Sequence, residues 1–446
     1  MYVTQALARY AASLQKAPPP EEVLHHAKRA VVDWFASAFA GLSVSPVPML
    51  ERVLADDLGH GAATLLRGGA ATPRAAALIH GAAAHAAEVD DSFRDAMYHP
   101  GAATVAAALA AAQQAGCSGL RFLRGVIAGY EISTRIGVAL GRSHYLYWHN
   151  SGTVGTFGAA AAAGVVLGLD EAGHAHALAT AATFAAGLQQ AFRTDSMSKP
   201  LHTGRAAEGG CLAAQLAAAG VTGGADVLEG DSGFGVAMSD EADWSHVACT
   251  LGRDFHIARL TVKNHVGCGH TFAAVDAALE LRRAHPFAIE DISGIAIETY
   301  RPALDIACHV LPETANEARF SMRYVVATAL VDGSLRQQAY TPARMADPVV
   351  RRLMACTQVA VDPELDDAFP RERSARVTLT LTDGTRLVHL QRHRKGDPEL
   401  PLRDDELNAK FIELVAPVVG ETPARELLAQ LWRLELRSDV LGLGRP

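Results

Sequence analysis

Four short polar clusters along this chain each stand directly before an Ala/Gly-rich stretch. His99 precedes Pro100-Gly101-Ala102, His149-Asn150-Ser151 precedes Gly152, Lys199-Pro200-Leu201-His202-Thr203 precedes Gly204, and Cys268-Gly269-His270-Thr271 precedes Phe272. Helix N-termini expose unbonded N–H donors and partial positive charge, so they attract anions. A cleft gathering several such starts, each bringing an imidazole or an ammonium, suits a ligand with several carboxylates. Each cluster taken alone also has a structural reading, since Ser, Thr and Asn are ordinary caps and a helix-start His is often a satisfied core residue. Lys199, set between Ser198 and Pro200 amid apolar helices, either reaches water or pairs an anion.

The acidic counterpart is Glu88-Val89-Asp90-Asp91-Ser92, expected at the end of a helix beginning at Pro73. Carboxylates near a helix C-terminus oppose its dipole. Solvation at the surface is one explanation, and a carboxylate that orients and charges a neighbouring His is the other. No metal is expected: Glu88, Asp90, His99, His265, Cys268 and His270 include no His-Glu-x-x-His pair and no familiar zinc spacing. The run Glu229-Gly230-Asp231-Ser232-Gly233-Phe234-Gly235 lacks the Lys of a P-loop and reads as a tight turn.

Positioning these groups falls to a largely helical frame. Ala-rich segments over 73–91, 101–115, 120–140, 152–167, 171–187 and 204–219 predict helices that approach closely. Near residue 262 the texture changes. Ile295 to Tyr300 reads as a strand, Glu317 to Val331 as a helix, and Asp383-Gly384 as the turn of a hairpin between 376–382 and 385–391. Helical pattern returns after Lys395-Gly396-Asp397-Pro398. The predicted fold is therefore mainly α with an inserted α+β domain. An all-helical domain is built from both chain ends, 1–261 and 397–446, and a smaller α+β lid spans 262–396.

With 446 residues, two domains are expected, and 49% hydrophobic content supplies a large core. A formal charge of -8 argues against nucleic acid as a partner without forbidding a locally basic site. Six scattered cysteines, with no Cys-x-x-Cys and no secretory pattern at the N-terminus, point to a reducing, cytoplasmic setting. The uncharged stretch Gly152 to Leu169 is Ala/Gly-rich and reads as a buried helix rather than a membrane span.

These segments, in this order, resemble the MmgE/PrpD family, which includes 2-methylcitrate dehydratase, cis-aconitate decarboxylase and iminodisuccinate epimerase. The resemblance is carried by His80-Gly81, Ala84-His85-Ala86, the acidic run to Ser92, His99-Pro100, and His149 with Gly155-Thr156-Phe157-Gly158. Lys199-Pro200-Leu201-His202-Thr203-Gly204 is its most specific piece. Glu317-Ala318-Arg319-Phe320-Ser321 leading to Tyr324, and Leu330-Val331-Asp332-Gly333, complete it. Departures include Glu88 where several members carry Asp, and Asn150 where Pro is frequent.

The resemblance implies a homodimer and a cofactor-independent site between the domains, acting on a small polycarboxylate. It carries the family's site onto Asp90, Asp91, Ser92, His99, His149, Lys199, His270 and Tyr324. On this reading Lys199, with Arg193 or His202, binds substrate carboxylates, and His149 is the general base. Asp90 or Asp91 holds His99, while His270 and Tyr324 donate protons or clamp substrate. The expected activity is a lyase of dehydratase or decarboxylase type. An epimerase or racemase on the same site, a metallohydrolase, and a non-catalytic carboxylate-binding protein are the alternatives.

Overall fold

The computed structural model describes residues 2–192 and 196–445. The chain divides into two compact units, one formed by Met1–Val262 with Arg403–Pro446 and the other by Lys263–Leu402.

The first unit is a stack of helices around Asn150–Leu167, which is buried along almost its whole length. Ala, Gly, Thr and Val make up most of this helix, so neighbours can approach it from several sides. Gly119–Tyr147, Pro100–Ala115 and Lys199–Ala218 all pack on it, and Pro73–Ala86 packs in turn on the last two. The closeness is enforced by particular glycines. A Cβ on Gly210 would lie 2.4 Å from Ala159 Cβ and 2.6 Å from the Thr156 carbonyl oxygen. The C-terminal helix Asp404–Val419 returns against Glu21–Gly41. There the Lys410 ammonium, buried, donates to Asp33 Oδ1 at 2.6 Å and to the Val89 carbonyl at 2.7 Å.

Three expectations for this unit are corrected. It is not wholly helical, because Leu58–Thr64 pairs with Ala70–Ala71 as a short antiparallel ribbon. The positive φ of Gly59 and Gly61 is incompatible with continuing a helix there. The helix expected to reach residue 91 stops at Ala86, and Glu88 follows with φ +60, so the acidic run lies in a loop. Similarly, Lys199 to Thr203 do not precede a helix. They are the first turn of Lys199–Ala218, with Pro200 near the start where its missing N–H costs nothing.

The second unit holds a four-stranded sheet, in spatial order Thr357–Val361, Ile292–Thr299, Ala375–Leu381, Arg386–Gln391. The last two form the hairpin predicted at Asp383-Gly384, where Gly384 has φ +85. The first strand, absent from the sequence reading, runs parallel to Ile292–Thr299. The single helix expected over 317–331 is two, Ala315–Arg319 and Met322–Asp332, because Ser321 caps the second by accepting from Tyr324 N. Among the described residues no helix is long and apolar enough to cross a membrane.

The tight crossing at Gly210 yields a test. Gly210→Ala forces the added methyl against a backbone carbonyl, and overpacking of this kind costs about 1–3 kcal/mol. Chemical denaturation is expected to show that loss, and an unchanged unfolding free energy would contradict the close approach.

Candidate active site

The site in the first unit grows from the end of one helix and the starts of three others. Pro73–Ala86 carries His85 on its last turn, and the left-handed backbone of Glu88 turns the chain into the acidic loop. That conformation costs a non-glycine residue about 1 kcal/mol or more, and such strain persists only where the surroundings enforce it. Lys410, holding the Val89 carbonyl, and the paired backbones of Ser92 and Thr261 supply the enforcement just after it. The loop then reaches His99, which occupies the N-cap position of Pro100–Ala115. His149 caps Asn150–Leu167, and Lys199 and His202 share the opening turn of Lys199–Ala218.

Four imidazoles form a chain. His99 and His85 have ring centroids 4.9 Å apart, His85 and His149 5.5 Å, and His149 and His202 5.3 Å. His85 Nδ1 lies 2.7 Å from Asp90 Oδ2, and His99 Nδ1 lies 3.3 Å from the same oxygen. His99 Nδ1 also lies 2.8 Å from the Asp91 carbonyl oxygen. A backbone carbonyl and an ionised carboxylate can only accept, so both Nδ1 atoms carry hydrogens. In each neutral ring the basic lone pair is then on Nε2. The His99 backbone N–H donates to Ser151 Oγ at 3.1 Å, tying this loop to the helix that carries His149.

Burial favours the neutral form of His85, His149 and His202. It pushes the His85 imidazole down to about 4, with the Asp90 carboxylate opposing and Lys199 reinforcing the effect. It also drives His149 well below its ordinary value, helped by the charges of His85, Lys199, His202 and His99. His202, only part buried, is lowered by burial and by Lys199. Lys199 Nζ pairs with the Glu88 carboxylate, and both groups are largely shielded from solvent.

Asp91 has a different place from Asp90. Its carboxylate accepts from Tyr130 Oη at 2.6 Å and from the Gly101 backbone N–H at 3.0 Å. Burial, then the charge of nearby Asp33, pushes its carboxyl up to about 7, against the pull of those two hydrogen bonds. A Cβ on Gly101 would lie 2.6 Å from Tyr130 Oη and 2.8 Å from Asp91 Oδ1, so glycine is required there. Asp91 thus fastens the loop to Pro100–Ala115 and orients His99 through its carbonyl. Ser92 contributes its backbone to the Thr261 pairing.

The remaining expected site residues are Arg193, His270 and Tyr324. Arg193 lies outside the described residues. His270 and Tyr324 belong to the second unit. His270 Nδ1 is 2.9 Å from Tyr300 Oη, and burial followed by the charges of Arg373 and Arg394 lowers its imidazole to about 3. Arg394 itself is clamped by Asp397 and donates to the Gly269 carbonyl at 3.0 Å. Tyr324 is fully buried and its hydroxyl donates to the Ala339 carbonyl within the same unit.

Several groups were missed from the sequence. His85 carried the family resemblance without a chemical role, although a His on the last turn before an acidic run is a visible signal. Lys410 sits at core spacing with Leu407, Phe411 and Leu414, and a lysine at such a position asks for a buried partner. Nothing in local spacing marks Tyr130 or Asp33, whose partners are remote in the chain.

Atoms of His85, Asp90 and His99 lie within 4.8 Å of one another. The two nitrogens beside Asp90 are both hydrogen-bonded Nδ1 donors, so an ion there would have to displace both protons and break the His99–Asp91 bond. The geometry fits a hydrogen-bonded carboxylate better than a coordination site.

The buried groups predict a pH dependence of stability. Unfolded imidazoles take up protons near 6.5 that folded His85 refuses until about 4, so its effect is to lower stability as pH falls through that window. Asp91 acts oppositely: folded, it keeps its proton to about 7, and unfolded to about 3.8, so its contribution is lost as pH rises through that range. Denaturation midpoints measured across this range should show a flatter slope for His85→Asn and a steeper one for Asp91→Asn. The reverse ordering would contradict the assignment.

Comparison with known proteins places the sequence among its relatives. A family model described as the MmgE/PrpD N-terminal domain matches residues 5–247, and one for the MmgE/PrpD C-terminal domain matches 265–436. A cis-aconitate decarboxylase-like protein of Aspergillus oryzae is 26% identical over 98% of this chain and 95% of its own. Cis-aconitate decarboxylase of Mus musculus is 27% identical over 84% of this chain and 78% of its own. That of Aspergillus terreus is 26% identical over 99% and 95% respectively. With both family models matched in order and together spanning most of its length, the chain belongs to the MmgE/PrpD family.

Proposed function

We propose that this protein is a lyase that removes carbon dioxide from an unsaturated polycarboxylate of the cis-aconitate type, using its own side chains for binding and proton transfer. The observation that carries the proposal is one buried cluster in which an ammonium, Lys199, lies beside imidazoles held neutral, with a single carboxylate, Asp90, fixing two of them. The cis-aconitate decarboxylases among its relatives supply the reaction class.

In this reading Lys199 exchanges part of its pairing with Glu88 for a substrate carboxylate. The C–C bond to the departing carboxylate breaks, and its electron pair forms a new C=C bond. The pair of the original double bond then takes a proton at its far carbon. Charge accumulating along this path lies close to the Lys199 ammonium, and preorganised positive charge in a site shielded from water lowers the barrier. His149 delivers the proton. Imidazole suits that task because its two nitrogens can hold and release a proton near neutral pH. His99, oriented by Asp91 and Asp90, presents a second basic nitrogen that can hold substrate or receive a proton. A homodimer in the cytoplasm belongs to the same proposal and rests on the family resemblance and the cysteine pattern alone.

Purified protein incubated with a panel of di- and tricarboxylates is expected to release carbon dioxide from an unsaturated tricarboxylate. Work in deuterium oxide should place one deuterium on the product carbon. His149→Ala is expected to lower kcat by a factor on the order of 100 to 10,000, the usual worth of a positioned proton-transfer group. Lys199→Ala is expected to lower kcat/KM. Hydration or epimerisation without carbon dioxide release would replace this reading, and full activity in both variants would remove it.

A further inference from the structure

The pairing of two neutral imidazoles through like nitrogens has a consequence for how His149 works. His149 Nδ1 and His202 Nδ1 are 3.1 Å apart. A hydrogen bond between two such atoms needs a proton on one and a lone pair on the other. The pair therefore has two arrangements. In one, His149 carries its hydrogen on Nδ1 and is a base at Nε2. In the other, His202 donates, and His149 carries its hydrogen on Nε2 and is an acid there.

The surroundings are built to hold this contact. The His149 backbone N–H donates to the Gly187 carbonyl at 2.9 Å, and Trp148 pairs with Leu188, holding the 185–188 segment beside His149. A Cβ on Gly187 would lie 3.2 Å from both Cγ and Nδ1 of His202, and a Cβ on Gly152 would lie 3.1 Å from His202 Cβ. Both positions are glycine, so the His202 ring has room to reach His149. His149 is almost fully buried, whereas His202 is partly exposed, so the pair runs from the interior toward solvent. The charged and titratable groups facing it are Lys199 on the same helix as His202, His85 from Pro73–Ala86, and His99.

We infer that His202 is a positioning residue that passes a solvent proton to His149, converting a buried neutral imidazole into a usable acid. The inference rests on the proposed role of His149 and adds the route of its proton. As His149 Nε2–H goes to the substrate carbon, His149 Nδ1 takes the Nδ1 proton of His202. His202 Nε2 then takes one from water. One proton thus leaves solvent and one arrives on carbon, matching the single proton that decarboxylation consumes. The other arrangement is restored after product leaves: His149 Nε2 takes a proton, its Nδ1 proton returns to His202, and His202 releases one to water. Without the partner, loss of the Nε2 proton would leave a buried imidazolate, which desolvation strongly disfavours. The lowering of both imidazoles by burial agrees with rings that pass through charged states only briefly.

His202→Asn tests this, since an amide can hydrogen-bond His149 Nδ1 but cannot relay a proton, and His202→Gln serves if the Asn protein does not fold. The expected result is a fall in kcat of about 100-fold with KM nearly unchanged, together with an altered pH profile of kcat. In His202→Ala, added imidazole should restore part of kcat, and more so at lower pH where it is protonated. Raised KM with unchanged kcat, as for a simple substrate ligand, would overturn the relay. So would wild-type kcat and pH profile in the Asn variant alongside an inactive His149→Ala. Full activity in His149→Ala would instead overturn the proposed role of His149 itself, so the two failures are distinguishable.

Discussion

A carboxylate buried against two imidazoles is the contact on which the rest of this site depends. Asp90 cannot stay ionised in an apolar interior without donors; His85 Nδ1–H donates to it, and His99 Nδ1, bonded to the Asp91 carbonyl, lies 3.3 Å from the same oxygen. In return the carboxylate fixes where each ring keeps its hydrogen. The stack continues through His149 to His202, so the orientation of one acid influences a line of four rings. Burial lowers the His85, His149 and His202 imidazoles, which favours the neutral form that can both accept and donate.

That arrangement needs a loop held in a conformation it would not adopt alone. Glu88 has a left-handed backbone, and two residues later Asp90 must point back at the helix just left. The fastening comes from opposite ends of the sequence. Lys410, on the returning C-terminal helix, bonds Asp33 and the Val89 carbonyl, and Tyr130 with Gly101 grips Asp91. Removing one partner of a buried ion pair such as Lys410–Asp33 typically costs roughly 3–5 kcal/mol, because the other charge is left buried. The C-terminal segment is therefore tied to the geometry of the acidic loop as well as to the helical core.

Much of this was legible in the residues, and the limits have physical causes. Ala-rich periodicity located the long helices, and Asp383-Gly384 located the hairpin, because helix propensity and turn chemistry are local properties. The ribbon at 58–71 and the strand Thr357–Val361 escaped notice because short pairings are decided by a partner elsewhere in the chain. In the site, His99 and His149 were visible as polar residues at helix starts. The difference between Asp90 and Asp91, adjacent and chemically identical, was not, since it depends on which faces the imidazoles and which faces Tyr130. Nor was the hydrogen bond of the Tyr324 hydroxyl to a backbone carbonyl in its own unit.

Nitrogen NMR of the protein labelled at its histidine side chains reads the tautomers most directly. Near neutral pH, His85 should appear as a neutral ring protonated at Nδ1 and His99 should carry a hydrogen on Nδ1, and Asp90→Asn should disturb both together. Either ring protonated at Nε2 alone would contradict a shared carboxylate as the organising contact.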